Sequence, residues 1–185
     1  AHAVDAAEMV VVAVEPLDAV TSIDAGFDDT VLLFPEAGTN RNSVLDDGWD
    51  DTADGGFWDG CEVVVRERVV NQRVAGVPLE GRGSAASWDG ARLTQWISSQ
   101  NAHGARDAIA RAHRLDKAEV RVVAPDVGGG FGPKITPSPE DVLVGWVARR
   151  LGRPAKWVET RSENLVAQSQ GRGHVHHIAI GGTRD

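Results

Sequence analysis

The sequence predicts a mixed α+β fold, because helical and strand patterns alternate along the chain without an internal repeat. Two segments, 103–113 and 139–151, have apolar residues at helical spacing. Short runs typical of strands lie around them, at 63–65, 69–70, 84–89, 91–98, 119–124, 155–160 and 175–180. With 185 residues, 42% of them apolar, the chain is large enough to bury a core.

The N-terminal part is predicted to end a helix and enter a strand. Residues 3–14 (AVDAAEMVVVAV) pass from a helix-forming stretch into a run of valines, and Pro16 prevents a helix from continuing. Residues 46–60 are acidic and glycine-rich, and we interpret them as a loop or domain joint. The region that begins at Cys61 has a different, strand-rich character.

The middle of the chain predicts a hairpin and then a helix. The two strand segments before residue 100 are separated by Asp89-Gly90, a dipeptide that favours a tight hairpin turn. In the helix that follows, Ile109 and Ala112, with Leu115 after them, are spaced along one stripe that we expect to face the core.

The second helix has clear signals at both ends. Ser138 is a suitable N-cap, Pro139 occupies the first helical position, and Gly152 ends the helix. Its broad apolar face is predicted to consist of Val142, Leu143, Trp146 and Val147.

Composition argues against several classes of function. The net charge is −8 and no cluster of Lys or Arg stands out, so a nucleic-acid partner is not expected. The longest apolar run, Met9–Val14, is too short to span a bilayer. Since no secretory leader is present, we expect a cytoplasmic protein without a transmembrane segment. Cys61 is the single cysteine, so the chain itself can hold no disulfide, thiolate zinc site or iron–sulfur cluster.

The most informative segment is Val120–Lys134, VRVVAPDVGGGFGPK. The glycine-rich turn, residues 128–132, follows a predicted strand, and its glycines permit positive φ angles and expose backbone N–H groups. Such a turn can hold an anion, although an ordinary tight turn at a strand end has the same pattern. A P-loop is excluded because Pro133 and Ile135 stand where it needs Gly and Ser or Thr. The prolines after the turn delay the next helix, which also argues against a dinucleotide fingerprint.

The segment resembles the molybdopterin-binding loop of the xanthine oxidase, aldehyde oxidase and carbon monoxide dehydrogenase family. The strand end, helix, strand and GGGFG turn follow in the order and spacing of that family. The resemblance covers nearly the whole chain and is weakest at 35–60. It is carried by QWISSQN (95–101), GGGFG (128–132), GRPAKWVETRSENL (152–165), HVHHIAIGGTRD (174–185), VVNQRVAGVPLEGR (69–82) and residues 1–34.

The resemblance implies a particular domain order. Residues 1–45 would form the end of an α/β-hammerhead-like domain, and residues 46–60 the acidic joint. Residues 61–185 would form the first part of the molybdenum-cofactor-binding domain.

The resemblance also implies roles for individual residues. A glutamine placed like Gln100 reaches toward an oxygen ligand of molybdenum, and a neutral amide suits this task because it donates a hydrogen bond without changing the charge of the centre. Gly129, Gly130, Phe131 and Gly132 match the turn whose backbone contacts the pterin. Phe131 is expected either to form a wall of the substrate pocket, which we favour, or to fill the core beneath it. The predicted catalytic residues are therefore Gln100 and Phe131.

The implied cofactor is molybdenum–molybdopterin, in its cytosine dinucleotide form, with FAD and a 2Fe–2S cluster only on partner subunits. The implied partners are the remainder of the large subunit, an FAD-binding medium subunit, an iron–sulfur small subunit and a small-molecule substrate. The implied reaction hydroxylates aldehydes or N-heterocycles, or oxidises carbon monoxide, with water as the oxygen source.

Two positions narrow this assignment. Purine-hydroxylating members hold a Glu three residues after the turn, where Ile135 stands here, so we predict that purines are not substrates. Glu80 matches a position of the family pattern for which the sequence indicates no chemical role, and a surface or turn-supporting role is as open as a functional one.

Some of the family's machinery is not in this sequence. The glutamate that acts as general base lies far toward the C-terminus of the large subunit, so we expect the isolated chain to be catalytically incompetent. The alternative is a non-catalytic remnant or interaction domain that binds no cofactor, in which exposed Trp49, Trp58 and Trp88 would mark a docking surface.

Overall fold

The computed structural model describes residues 2–45 and 56–184. Most of the predicted joint at 46–60, and Trp49 within it, lies outside the described residues. The chain divides into two units, which we call unit 1 (residues 1–71 and 174–185) and unit 2 (residues 72–173). Both helices and strands occur, which confirms the predicted mixed fold.

The described residues form α-helices and β-strands, together with two short 3-10 turns. The helices are α1 (His2–Glu8), α2 (Ile23–Phe27), α3 (Ala102–His113), α4 (Pro139–Leu151) and α5 (Arg161–Ala167). The strands are β1 (Val63–Ala75), β2 (Gly83–Trp88), β3 (Leu93–Ile97), β4 (Val120–Val123), β5 (Ala155–Val158) and β6 (Gln170–Gly182).

Unit 2 is built on a four-stranded sheet in the order β4-β3-β2-β5. Strands β2 and β3 form the predicted hairpin, in which Trp88 pairs with Leu93 across the turn. The Asp89 carboxylate accepts hydrogen bonds from the backbone N–H groups of Ala91 (2.9 Å) and Arg92 (2.7 Å), and these bonds hold the turn. Strand β4 runs parallel to β3 because α3 carries the chain back between them.

Helices α3 and α4 pack against this sheet and against each other. Ile109 of α3 is buried as predicted and Leu115 packs on the core, but Ala112 is exposed, so that part of the predicted stripe is wrong. The buried positions of α3 are Ala105, Ile109, Ala110 and His113, and Ala112 lies just outside the edge of the helix face that they form. The core consists of Ala86, Leu93, Ile109, Ala110, Val120, Val144 and Ala148.

The buried face of α4 differs from the predicted one. Leu143 and Trp146 are 56% and 53% exposed, whereas Val144 and Ala148 are buried. The reason is the close approach of α4 to the sheet at Gly145. A Cβ atom on Gly145 would lie 2.9 Å from Gln95 Oε1 and 3.0 Å from a ring nitrogen of His113. Small residues therefore face the sheet, and the large apolar residues point outward from unit 2.

The ends of α4 follow the sequence signals. Ser138 forms a capping box with Asp141, whose carboxylate accepts a hydrogen bond from the Ser138 N–H at 2.8 Å. Gly152 ends the helix in the left-handed conformation. Helix α5 was not predicted, although Thr160 and Glu163 form the same kind of box and are its sequence signal.

Unit 1 contains α1 and α2 and most of the long strands β1 and β6, which pair in a separate two-stranded sheet. The helix at the start of the chain is confirmed, but the predicted strand through Val10–Val14 is wrong. Residues 10–21 form neither helix nor strand, because no other strand pairs with them among the described residues. Within residues 2–45 and 56–184, no helix is long and apolar enough to cross a membrane.

His113 is buried between α3 and α4, with 8% of its surface exposed. Its Nε2 lies 3.2 Å from the carbonyl oxygen of Val142, and the Arg149 guanidinium donates to the His113 carbonyl at 3.2 Å. Burial and the charge of Arg149 lower the pKa of His113 and outweigh the hydrogen bond to Val142, which acts in the opposite direction. The folded state therefore favours a neutral ring.

The free energy of unfolding should consequently fall as the pH drops below 6.5, the ordinary pKa of a histidine, since the unfolded chain then binds a proton that the folded ring resists. The loss is limited to about 1.4 kcal/mol per pH unit, the value for one proton. His113→Gln should remove this part of the pH dependence, whereas His103→Gln, at an exposed position of the same helix, should leave it unchanged. Urea unfolding at about pH 7.5 and about pH 5.5 measures the free energy of unfolding at each pH. If the difference between the two values is the same in His113→Gln as in the wild type, the prediction is contradicted.

Candidate functional site

The glycine-rich turn lies beside the loop that leads from β3 into α3. In this loop the backbone N–H of Gln100 donates to the carbonyl oxygen of Lys134 at 2.9 Å. The next residue, Asn101, caps α3 by accepting a hydrogen bond from the N–H of Gly104 at 2.9 Å. The cap sets where the helix begins, and so it holds Gln100 at the end of the strand and next to the turn.

The side-chain amide of Gln100 is oriented by the turn. Its Oε1 accepts hydrogen bonds from the backbone N–H of Gly132 at 3.0 Å and of Lys134 at 3.3 Å. The Nε2 group donates no hydrogen bond to any residue within 2–45 and 56–184. The amide therefore presents its two N–H bonds outward, as a donor with a fixed direction.

The backbone of the turn needs its glycines. Gly129 and Gly132 have φ angles of 96° and 100°, in the left-handed region that disfavours a Cβ atom. Phe131 also has a positive φ, 54°, which is uncommon for a residue with a side chain. Gly130 serves a different purpose, because a Cβ atom there would overlap the amide group of Gln100. The turn and the Gln100 side chain are thus in direct contact.

Three consecutive backbone donors lie in the middle of the turn. The N–H groups of Gly129, Gly130 and Phe131 form no hydrogen bond with any part of the chain that the structure describes. Backbone N–H groups that are left unpaired in a turn are available to an acceptor or an anion. Together with Nε2 of Gln100, they make a local set of neutral donors.

Phe131 is 74% exposed, so it fills no core within unit 2. It lines a cleft of about 420 Å³ within unit 2. The other lining residues are Val74, Ala75, Gly76, Gly132, Pro133, Ser169, Gln170, Gly171 and Arg172.

Glu80 and Lys134 were not predicted as site residues, yet both bind the turn. The Glu80 carboxylate accepts from the N–H of Gly128 at 2.8 Å and from Lys134 Nζ at 2.9 Å. The sequence signal for Glu80 was limited to its place in the resemblance, and nothing in the sequence indicates that Lys134 is buried.

Gln100 and the glycine-rich turn can bind and orient a ligand, but they contain no acid or base. Gln100 and Gly129–Gly132 supply amide groups only, which do not titrate in water. Within the described ranges, no group of three or more His, Cys, Asp or Glu side chains is arranged to hold a metal ion. His174 and His176 share one strand face, with their ring centroids 5.5 Å apart.

The predicted tryptophan docking surface is not formed by Trp58 and Trp88. Trp88 is half-buried against the core, and the Arg149 guanidinium lies 4.9 Å from the centroid of its ring. Trp58 is also half-buried, with Arg66 at 5.2 Å from its ring centroid. Ile135, the position at which the resemblance implies a Glu in purine-hydroxylating members, is 48% exposed.

Comparison with the sequences of known proteins identifies the family to which the chain belongs. A family model described as the molybdopterin cofactor-binding domain matches residues 35–185. Subunit gamma of the 6-hydroxypseudooxynicotine dehydrogenase complex of Paenarthrobacter nicotinovorans is 35% identical over 95% of this chain and 22% of the relative. The carbon monoxide dehydrogenase large chain of Hydrogenophaga pseudoflava is 36% identical over 66% of this chain and 16% of the relative.

Comparison with solved structures identifies the same family. Quinoline 2-oxidoreductase from Pseudomonas putida 86 superimposes with a TM-score of 0.81 at 27% identity, over 98% of this chain and 23% of that one. The Cu,Mo-dependent carbon monoxide dehydrogenase gives a TM-score of 0.80 at 29% identity, over 98% of this chain and 24% of that one. The chain spans less than a quarter of the length of these proteins. It belongs to the molybdopterin cofactor-binding family and corresponds to part of the large subunit of the molybdenum hydroxylases.

Proposed function

We propose that the chain binds and orients the molybdenum cofactor through Gln100 and the turn Gly129–Gly132, in the cytosine dinucleotide form of that cofactor. The observation that carries the proposal is the fixed orientation of the Gln100 amide, whose Oε1 is held by the N–H groups of Gly132 and Lys134. This arrangement turns a flexible glutamine into a directed donor next to three backbone N–H groups that have no partner among the described residues.

The donor set fits a group rich in oxygen and sulfur acceptors. Nε2 of Gln100 would donate to an acceptor atom of the bound group, and the N–H groups of Gly129, Gly130 and Phe131 would donate to its pterin part. When bound, the group supplies a metal that activates water and accepts two electrons. The Phe131 ring, exposed at the cleft, would form a wall of the substrate pocket.

The remaining machinery would come from other polypeptide segments. We place residues 1–45 at the end of a hammerhead-like domain, residues 46–60 in a joint and residues 61–185 in the first part of the cofactor-binding domain. The partners would be the rest of the large subunit, an FAD-binding medium subunit and an iron–sulfur small subunit, assembled in the cytoplasm. The chain by itself would not turn over substrate, because its site supplies donors but no general base.

The substrate class follows from the same assignment. Relatives of the chain include a nicotine 6-hydroxylase, carbon monoxide dehydrogenases and an aldehyde oxidoreductase. We propose an N-heterocycle, an aldehyde or carbon monoxide as substrate. Purines are not expected, because the Ile135 side chain cannot accept a hydrogen bond from a purine ring. The interaction-domain alternative is less favoured, since Trp58 and Trp88 are half-buried rather than exposed, and Trp49 lies outside the described residues.

The proposal is tested by co-expressing the chain with the remainder of the large subunit and its partner subunits, in a host that makes the cofactor. Molybdenum is measured by elemental analysis, and pterin by fluorescence after oxidation. Gln100→Ala should lower both contents by about tenfold, the usual effect of losing a group that orients a metal centre. Gln72→Ala, at an exposed glutamine of β1, should leave both unchanged. Equal loading of Gln100→Ala and the wild type would contradict the assignment.

A further inference from the structure

Glu80 and Lys134 form an ion pair beside the glycine-rich turn. Nζ of Lys134 lies 2.9 Å from Oε2 of Glu80 and donates a second hydrogen bond, also of 2.9 Å, to the Glu80 carbonyl oxygen. Only 1% of the Lys134 side chain is exposed. A lysine so deeply buried is rare, because removing its charge from water costs free energy that its acceptors must offset. The ammonium group of Lys134 therefore lies inside unit 2, whereas the Glu80 side chain that pairs with it is 40% exposed.

A single oxygen atom of Glu80 binds both flanks of the turn. Oε2 accepts from the N–H of Gly128, the first residue of the turn, at 2.8 Å and from Lys134, two residues after its end. The same atom accepts from Ser98 Oγ at 2.6 Å, which ties it to the loop that carries Gln100. In addition, the Glu80 N–H donates to the carbonyl oxygen of Gly128 at 3.1 Å.

The carboxylate is held in its charged form. Partial burial by itself would raise the pKa of Glu80, but the hydrogen bonds from Ser98, Lys134 and Gly128 outweigh it and keep the pKa below its ordinary value. Charged hydrogen bonds are stronger than neutral ones, so this one atom can hold three donors from three segments of the chain.

The middle of the turn has little other support. Its N–H groups at 129–131 form no hydrogen bond within residues 2–45 and 56–184. The Phe131 ring is mostly exposed. Apart from Glu80 and Lys134, the described side chains that hold this segment are that of Gln100, through the N–H groups of Gly132 and Lys134, and that of Ser99, which donates to the carbonyl oxygen of Lys134 at 3.3 Å.

We propose that Glu80 is a positioning residue for the cofactor-binding turn: with Lys134 it closes the turn, and through Ser98 it sets the turn against Gln100. This role rests on the proposed function, since the turn and Gln100 are there assigned to the cofactor. Glu80 itself touches no reacting atom. Its carboxylate holds the N–H groups at 129–131 in one arrangement, ready for the ligand.

The positioning role of Glu80 can be tested on the 185-residue chain by amide hydrogen exchange. Glu80→Gln keeps the size of the side chain but removes the charge that Lys134 pairs with. Exchange at the amides of Gly128, Gly132 and Lys134 should become about tenfold faster, while the core amides of β3 and α3 keep their protection. Unchanged exchange at these amides, or an equal acceleration throughout unit 2, would overturn the proposal.

Two further variants keep the test decisive. Glu80→Gln combined with Lys134→Met leaves no buried charge without a partner, so the double variant should fold even where the single variant is unstable. Hydrogen exchange at the same amides should become faster in it as well. Asp107→Asn removes a more exposed carboxylate–lysine pair, between Asp107 of α3 and Lys117 just after this helix at 2.6 Å, away from the turn. This control should leave amide exchange at the turn unchanged, and faster exchange there would contradict a local role of Glu80 and Lys134.

Cofactor content separates this proposal from the function on which it rests. In the assembled subunits, Glu80→Gln should lower molybdenum and pterin about as much as Gln100→Ala does. If Gln100→Ala loses cofactor and Glu80→Gln does not, the positioning role is wrong and the cofactor assignment stands. If neither variant loses cofactor, both proposals are wrong.

Discussion

Replacing Gly130 with alanine should lower the cofactor content of the assembled subunits by about a hundredfold, the upper range for loss of an orienting group. Gly130 is outside the left-handed region, so alanine can adopt its backbone conformation. The added Cβ atom overlaps the Gln100 amide and displaces it from Gly132 and Lys134. The loss should exceed that in Gln100→Ala, because the new methyl group also occupies space beside the donors.

The same change should have a small effect on folding. The two hydrogen bonds to Gln100 Oε1 are partly exposed and contribute about 1 kcal/mol each at most. Gly90→Ala provides the opposite control, since Gly90 has a φ of 100° in the hairpin turn but no atom within 4 Å of its added Cβ. That variant should lose stability and retain cofactor. Adding Gly130→Ala to Gln100→Ala should cost less further cofactor than Gly130→Ala costs alone, and full additivity of the two losses would argue against the overlap.

Leu93→Ala should lower the free energy of unfolding of the chain by about 3 kcal/mol. Leu93 is fully buried at the start of β3, where it pairs with Trp88 on β2 and with Val120 on β4. Truncation leaves a cavity at the centre of the core, between the sheet and Gly145 of α4. Because β3 leads to Gln100, partial unfolding of this strand would also disturb the site.

Urea unfolding measures this loss. Leu79→Ala is the matched control, since the Leu79 side chain is 96% exposed and its removal should change stability by no more than about 0.5 kcal/mol. A loss below about 1 kcal/mol for Leu93→Ala would mean that the core relaxes around the cavity.

Local chemistry predicted the elements of unit 2 well. The hairpin at Asp89-Gly90 and the limits of α4 at Ser138 and Gly152 depend on neighbouring residues, and all are confirmed. The strand near Val12 was wrong, because a strand needs a partner and valine content does not supply one. The outward side chain of Trp146 could not be foreseen, since it depends on how closely α4 approaches the sheet.

The candidate site was less accessible to sequence reasoning. Gln100 and Gly132 are 32 residues apart, and the resemblance to a family, rather than any local pattern, brought them together. Glu80 and Lys134 are separated by 54 residues, and a Glu and a Lys at such a distance carry no signal of pairing. Contacts of this kind appear only when the chain has folded.

The two backbone donors on Gln100 have a practical consequence for crystallography. At ordinary resolution the oxygen and nitrogen of a side-chain amide give nearly the same electron density, so their assignment depends on hydrogen-bond partners. Here Gly132 and Lys134 each present an N–H to one end of the amide, and that end must be the oxygen. In a diffraction study of the assembled enzyme, this glutamine could therefore be built in one orientation, and any atom found near the other end would be identified as an acceptor.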